Sequence, residues 1–381
     1  MSEWKTVRLG DYITEYSVKN KSNEDIPVYS VTNTQGFCTE YFSKDVSSKD
    51  KSNYKIVPRG CFAYNPSRIN VGSVDWQRYE DRVIVSPLYN VFKVSPELEN
   101  QYLYYFLKSD IGHTLITSKA EGSVRDNLKI TMLAEFSIPL PPLEEQKHIA
   151  AMLDKCTALV TKYKLMLENY DTLIKSRFIE MFGNNPIENG KWKVEKLGNL
   201  GLCKNGMNFS YEDNGFEINC LGVGDFKDNA VISNCEKLPV ISLNEKPSEE
   251  YLLKDNDIVF VRSNGNKELV GRSVLVHPRV LTTFSGFCIR FRLSTDSINH
   301  LFLLQFLKMP NTRKNMAGRG ANIQNLNQQI LSNLDIPVPK IELQNDLAAF
   351  VQQIDKSKFA VQKSLEKTEI LYKSLMQRYF A

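Results

Sequence analysis

Four polar clusters hold the side chains of this sequence best suited to chemistry. The first is Arg59 followed by Tyr64-Asn65-Pro66-Ser67-Arg68-Ile69-Asn70-Val71-Gly72-Ser73. The second surrounds Gly122 and contributes Lys119, Ser123, Arg125 and Asn127. The third is Arg262-Ser263-Asn264-Gly265-Asn266-Lys267, closed by Gly271-Arg272-Ser273. The fourth runs from Arg313-Lys314 to Arg319-Gly320-Ala321-Asn322-Ile323-Gln324-Asn325. Arginine pairs bidentately with guanine and asparagine with adenine, while glycine lets the backbone approach a phosphate, so this mixture suits a nucleic-acid groove. The candidate contacts are Arg59, Tyr64, Asn65, Ser67, Arg68, Asn70, Lys119, Arg125, Asn127, Arg262, Ser263, Asn264, Lys267, Arg272, Arg319, Asn322, Gln324 and Asn325. Taken singly, each reads better as an ordinary solvated loop residue. The recurrence of the clusters in both copies favours a groove for the set.

Catalytic patterns are weaker. Tyr64-Asn65-Pro66-Ser67 lacks the second proline and the aromatic of the Asn-Pro-Pro-aromatic motif of amino-methyltransferases. Leu221-Gly222-Val223-Gly224-Asp225 is a lone Gly-x-Gly, and no Walker A sequence is present. His113, His148, His277 and His300 have no metal-ligand spacing, so no metal site is expected. A nuclease pattern of the Asp…Glu-x-Lys type stays open, because such short patterns arise by chance. No catalytic residue is assigned.

The polar clusters need elements to carry them, and those elements are duplicated. Trp4-Lys5-x-x-x-Leu9-Gly10 recurs as Trp192-Lys193-x-x-x-Leu197-Gly198, at an offset of 188. Gly122-x4-Asn127-Leu128 recurs as Gly320-x4-Asn325-Leu326, at an offset of 198. Ile138-Pro139-x-Pro141 with Gln146 matches Ile336-Pro337-x-Pro339 with Gln344, and Leu173-x-Lys175-Ser176 with Phe182 matches Leu371-x-Lys373-Ser374 with Phe380. Each copy therefore has a front part of variable length and a back part of fixed length.

The front parts, 1–142 and 184–340, read as mixed α/β. Arg82–Val85, Asn90–Val94, Asp257–Val261 and Phe287–Phe291 are strand-like, rich in β-branched and aromatic residues. Tyr102–Lys108 and Phe302–Lys308 read as short helices that pack the core. The back parts, 143–183 and 341–381, read as long helices. One carries Ile149, Leu153, Cys156, Val160, Tyr163, Leu167, Tyr170 and Ile174, then Arg177 and Met181; the other carries Leu347, Val351, Ile354, Lys358, Val361, Leu365, Thr368, Tyr372, Leu375 and Tyr379. Spacing of 3.5 sustained over five heptads predicts a coiled-coil seam. Prolines stand just ahead of each run, and Glu144 and Glu145 suit the positive end of a helix dipole. A whole globule separates the helices, so an antiparallel pairing related by a pseudo-twofold axis is expected; two helices packed independently on their own globules are the alternative.

Composition agrees with an ordinary globular chain: of 381 residues, 42% are hydrophobic and 24% charged. No apolar run approaches the roughly 18–20 residues of a membrane span, and MSEWKTVRLGDYI has no apolar core of a secretory signal. Seven dispersed cysteines without a Cys-x-x-Cys pair suggest reduced thiols in a cytoplasm. The net charge of +4 excludes a strongly basic nucleic-acid binder. Any contact with DNA must use local clusters or borrow charge from a partner.

The run Ile138-Pro-Leu-Pro-Pro-Leu-Glu-Glu-Gln146-Lys-His-Ile149-Ala-x-x-Leu153-Asp154 resembles the entry to the conserved helix of specificity (S) subunits of type I restriction–modification systems. The Trp-Lys-x3-Leu-Gly openings and the Asn65-Pro-Ser-Arg-Ile-Asn-x-Gly-Ser loop resemble that family too, so the likeness covers nearly the whole chain. The second copy departs from it, keeping Pro339 and Gln344 without the Glu-Glu pair, and with no aspartate at 352. The resemblance implies a non-catalytic, cytoplasmic reader of double-stranded DNA. Residues 1–142 and 184–340 would be target recognition domains, each reading half of an asymmetric bipartite site. The helices would set the gap and dock two methyltransferase (M) subunits, with endonuclease–translocase (R) subunits joining. S-adenosylmethionine, ATP and magnesium would belong to those partners and none to this chain. The specificity subunit of a restriction system that cuts beside its site, and a coiled-coil scaffold that ignores DNA, are the competing readings.

Overall fold

The computed structural model describes residues 4–39, 50–120, 127–210, 213–226, 230–316 and 325–380. The repeated motifs explain one another. Lys5–Arg8, in the Trp-Lys motif, pairs antiparallel with Ser137–Leu140, in the Ile-Pro motif; Lys5 faces Leu140 and Val7 faces Ile138. Lys193–Lys196 and Asp335–Val338 repeat this pairing, with Lys193 opposite Val338 and Glu195 opposite Ile336. The first and last segments of each globule thus close on each other. The glycine of each opening motif is needed for that approach. Gly10 donates its amide to the Ala134 carbonyl at 2.8 Å, and a Cβ at Gly10 would stand 2.8 Å from that same oxygen. A Cβ at Gly198 would lie 3.0 Å from the Ser332 Cβ.

The central sheets share one strand order. In the first globule the order is Ile13–Glu15, Asn90–Val94, Phe62–Tyr64, Val74–Trp76, all antiparallel. In the second it is Gly201–Asn205, Cys288–Leu293, Asp257–Val261, Ser273–Val276, with Val231–Ile232 added in parallel. Phe62 faces Phe92 as Ile258 faces Phe291. The central strands Asp257–Val261 and Ser273–Val276 are buried throughout, as expected of strands covered on both faces. The strands expected at Arg82–Val85, Asn90–Val94 and Asp257–Val261 form with those bounds. The strand expected from Phe287 starts instead at Cys288. Asn100–Lys108 and His300–Lys308 are the short helices, capped by the carboxylate of Glu99 and the amide oxygen of Asn299.

The long helices are Leu143–Phe182 and Ile341–Phe380, 40 residues each. The chain divides into two compact units, residues 1–164 with 362–381, and 165–361. Each unit holds one globule, the near half of one long helix and the far half of the other. In the first, Ile149, Leu153 and Cys156 share a core with Leu375, Met376, Tyr379 and Phe380. In the second, Ile174, Phe178 and Phe182 share a core with Leu347, Ala348, Val351 and Ile354. Both pairings are antiparallel, start against end. Lys164 pairs with Glu369 at 3.3 Å in the first unit and Lys358 with Asp171 at 2.6 Å in the second.

The expected seam residues Ile149, Leu153, Ile174, Leu347, Val351, Ile354, Val361, Leu365 and Leu375 are buried, and Val160, Tyr163, Leu167 and Tyr372 are half-buried. One stretch needs correction. After Ile174 the buried positions are Phe178 and Phe182, not 177 and 181. Here the end of the helix packs on the second globule, with the rings of Phe178 and Phe182 5.8 and 4.9 Å from that of Phe302. Arg177 turns outward to Glu180 at 2.8 Å.

A buried glutamine clasps each long helix to its globule. The Gln146 amide accepts from the Glu99 backbone amide at 2.8 Å and donates to the Glu97 and Pro141 carbonyls at 3.0 and 2.8 Å. Gln344 accepts from the Asn299 backbone amide at 2.8 Å and donates to the Ser297 and Pro339 carbonyls at 3.1 and 2.7 Å. Both side chains are fully buried, and every amide hydrogen bond is directed at the backbone. Among the described residues, no helix is long and apolar enough to cross a membrane.

Candidate nucleic-acid interface

In the first unit the loop after strand Phe62–Tyr64 is folded by its own polar groups. Asn65 Oδ1 accepts from the Ser67 amide and hydroxyl at 3.2 and 3.0 Å, an Asx turn. Residues Ile69–Val71 make one 3-10 turn, which Gly72 ends at φ +92°, a conformation that favours glycine. The half-buried Lys108 ammonium donates to the Gly72 carbonyl and reaches the Asn33 carbonyl at 3.5 Å. Burial lowers the pKa of Lys108, and the nearby Asp75 opposes that shift. Asp75 itself accepts from the Phe37 amide at 3.0 Å and pairs with Arg78. Burial nevertheless raises its pKa. Buried charge here is matched by hydrogen bonds, as it must be in a low-dielectric interior.

The second polar segment joins this loop. The Leu128 amide donates to the Pro66 carbonyl at 3.1 Å. The Leu128 carbonyl accepts from the Tyr64 hydroxyl at 3.1 Å and from Asn90 at 3.5 Å. Asn127 is thereby set, exposed, beside Asn65, Ser67, Arg68 and Asn70.

The second unit repeats that junction. The Leu326 amide donates to the Arg262 carbonyl at 2.8 Å, and Ser263 and Asn325 form an antiparallel bridge. The Arg262 guanidinium donates to the Gly286 carbonyl at 3.2 Å and its amide to the Phe287 carbonyl at 2.8 Å. Asn264 Oδ1 accepts from the Asn266 amide at 2.8 Å. Ser263, Asn264, Gly265 and Asn325 line a cleft of about 680 Å³ with Phe209 and Phe287. Two polar segments far apart in sequence thus meet through the same backbone hydrogen bond in both units.

That arrangement can be set beside known proteins. The sequence pattern of the type I restriction modification DNA specificity domain matches residues 1–168 and again 189–371. The chain belongs to that family. It is 28% identical over 303 residues to the StySPI specificity subunit of Salmonella potsdam, a match covering 73% of this chain but only 64% of that subunit. It is 23% identical to the MjaVIII specificity subunit of Methanocaldococcus jannaschii, over 98% of this chain and 91% of that one. In fold it resembles the S subunit of M. genitalium, with a TM-score of 0.60 at 15% identity, covering 99% of this chain and 96% of that one.

The remaining candidates of these specificity domains fall into three groups. Tyr64 is corrected: it is fully buried, its hydroxyl held between Leu128 and Asn90, and burial pushes its phenol pKa up. It supports the loop from beneath. Arg59 stands with the 78–81 turn, donating to the Tyr79 carbonyl at 3.2 Å and pairing with Asp81 at 3.5 Å. Lys119 pairs with Glu135 at 2.7 Å. Arg272 lines a cleft of about 390 Å³ with Asn264 and Val261, and a second of about 410 Å³ with Lys308, Arg313 and Lys358. The backbone at Lys267 enters a 3-10 turn. Arg125, Arg319, Asn322 and Gln324 lie outside the described residues.

Sequence reasoning missed Lys108 and Asn90, which hold the first loop. Lys108 and Lys308 end the same short helix in both copies, and a lysine repeated at the end of an apolar helix was the available signal.

Proposed function

We propose that this chain is the sequence-reading subunit of a type I restriction–modification complex. Each globule reads one half of an asymmetric, split DNA site, and the long helices hold the gap between halves. The observation that carries this is the repeated junction: Leu128 to Pro66 in one unit and Leu326 to Arg262 in the other. The same backbone frame carries different side chains, which suits two readers of different half-sites. The chain itself is non-catalytic and cytoplasmic. Two methyltransferase subunits dock on it, endonuclease–translocase subunits join them, and S-adenosylmethionine, ATP and magnesium act on those partners. Exposed Phe359, Ile370 and Leu371 on the second long helix offer apolar contacts for docking.

Charge is consistent with a reader that relies on partners. Residues 1–142 hold 17 basic and 17 acidic side chains, and residues 184–340 hold 19 and 16. Phosphate contacts alone therefore supply modest affinity. The test is methylome sequencing of a host expressing this chain with its methyltransferase. The expected result is one new motif of two unlike half-sites with a fixed gap. A host with no new methylated motif, together with no DNA binding by the assembled subunits at low salt, would favour a protein scaffold.

A further inference from the structure

We propose that Leu88 and Phe287 are apolar wedges, each entering one base step of the half-site that its own domain reads. The proposal rests on the DNA-reading function above and adds how each domain deforms its target.

The two residues occupy the same turn. Ser86-Pro87-Leu88-Tyr89 and Ser285-Gly286-Phe287-Cys288 stand at an offset of 199. Each leads into the strand that pairs with the central strand, Asn90–Val94 or Cys288–Leu293. In both turns the serine hydroxyl faces the amide two residues on: Leu88 to Ser86 at 3.5 Å, Phe287 to Ser285 at 3.3 Å. Leu88 is 76% exposed and Phe287 63%.

Both tips are on firm supports. In the first, the Tyr89 carbonyl accepts from Lys55 at 2.6 Å and the Tyr89 amide donates to the Ser86 carbonyl at 3.1 Å. In the second, the Gly286 amide donates to the Met207 carbonyl at 2.6 Å. A Cβ at Gly286 would lie 3.1 Å from the Met207 carbonyl and would displace the exposed Asn208 amide, so this turn is tight against its neighbour. Both tips also adjoin the polar junction. The Phe287 carbonyl accepts from the Arg262 amide, and Phe287 lines the cleft with Ser263, Asn264 and Asn325. Leu88 precedes Asn90 by two residues, and the antiparallel register that pairs Asn90 with Tyr64 runs on toward Pro66 at that end.

Single exposed apolar residues are common and need no explanation. Two of them at the same serine-braced turn, beside the same junction, with Pro-Leu in one copy and Gly-Phe in the other, share a placement that the fold does not require. Leucine and phenylalanine are wedge residues: inserted between base pairs, they bury apolar surface that offsets the cost of unstacking. That cost is least at pyrimidine–purine steps. Each half-site should therefore contain a TA or CA/TG step at its wedge.

The test uses the full chain with its methyltransferase subunits and a duplex carrying the methylome-mapped site, with 2-aminopurine placed at each position in turn. Binding should raise fluorescence at one step in each half-site. Phe287→Ala should abolish the rise in the second domain's half-site alone, Leu88→Ala that in the first's alone, and Phe287→Leu should retain part of it. Each alanine variant should weaken binding about ten-fold, the size of a partly offset apolar burial, and leave the melting temperature of the free chain unchanged. Tight binding with no rise, or a rise that survives both alanine variants, overturns the wedges and leaves DNA reading standing. Loss of methyltransferase association without loss of the fluorescence signal also overturns them and assigns the tips to protein docking. Absence of duplex binding by every form overturns the DNA-reading function and the wedges with it.

Discussion

The two globules share a frame and differ in what they mount on it. Both close with a Trp-Lys strand against an Ile-Pro strand. Both hold the long helix with a buried glutamine making three near-identical bonds, and both join loop to Asn-Leu segment through a backbone amide. They differ in side chains that reach solvent, and in the sheet edge, where the second adds Val231–Ile232. Even a departure in the frame is matched by its partners. Asp154 accepts from Tyr105 at 2.7 Å and Gln101 at 2.8 Å; the second copy has Gln352 at the aspartate's place, and Gln305 and Leu301 at those of the donors. A single chain thus supplies its own control experiment: what is repeated is backbone geometry and buried amides, and what varies is the candidate reading surface.

The largest expected effect comes from changing the frame and leaving both surfaces intact. Four residues inserted after Leu167 add roughly 6 Å of helix, about two base pairs of duplex. The methylated motif should keep both half-sites and change its gap. An unchanged gap in the methylome of a host carrying the insertion would separate the helices from the spacing function.

The glutamine clasps come next. Gln146→Ala and Gln344→Ala each leave a buried backbone amide and two carbonyls without a partner, at a cost of about 3 kcal/mol. Denaturant unfolding should show similar losses, because the corresponding bonds agree within 0.1 Å. A neutral Gln344→Ala beside a damaging Gln146→Ala would break the equivalence of the two copies.

Much of this frame is legible in the sequence because it is written twice. The Trp-Lys, Ile-Pro, glutamine and terminal phenylalanine anchors recur in order; the strand motifs pair with each other, each glutamine holds its own globule, and each terminal phenylalanine enters the core of the other copy's globule. The seam is legible from its period, except beyond Ile174, where Phe178 packs on Phe302 of a short helix of the globule and Arg177 turns outward. The candidate surface is less legible. Tyr64 belongs to a polar-looking run, yet it ends a strand whose three residues are all buried. Phe287 reads as a strand residue by type, but its amide faces a serine hydroxyl and its ring stays in solvent. Residues distant in sequence help to place both: Leu128 and Asn90 enclose the Tyr64 hydroxyl, and Met207 holds the turn beneath Phe287. A local window contains none of them.

On the reading surface, Asn127 and Asn325 are the matched exposed pair at the junction. If asparagine pairs with adenine here, Asn127→Ala should relax one position of the first half-site and Asn325→Ala one position of the second, each by about 1–3 kcal/mol of discrimination. Binding titrations against single-base variants of the mapped site would measure this. A uniform loss across all variants would reassign these residues to phosphate contact and narrow the surface that differs between the domains.

The smallest effect concerns the two matched lysines. Lys108 bonds a loop carbonyl in the first unit, whereas Lys308 lines a cleft beside Lys358, Asp171 and Asp355. Burial and the Lys358 charge bring Lys308 down to about 8, with Asp171 and Asp355 opposing. The unfolded chain holds this proton up to about 10.5, so between pH 8 and 10.5 the unfolded state binds more protons. Stability should therefore rise with pH across that window by way of Lys308, the reverse of the usual case of a lysine that gains a partner. Lys308→Met removes the burial penalty. The variant should melt higher than the parent at pH 7, and the difference should shrink as pH climbs from 8 toward 10.5. Paired thermal melts over that range cancel the tyrosines common to both forms. A pH-independent difference would mean that Lys308 is charged throughout and that its cleft is solvated.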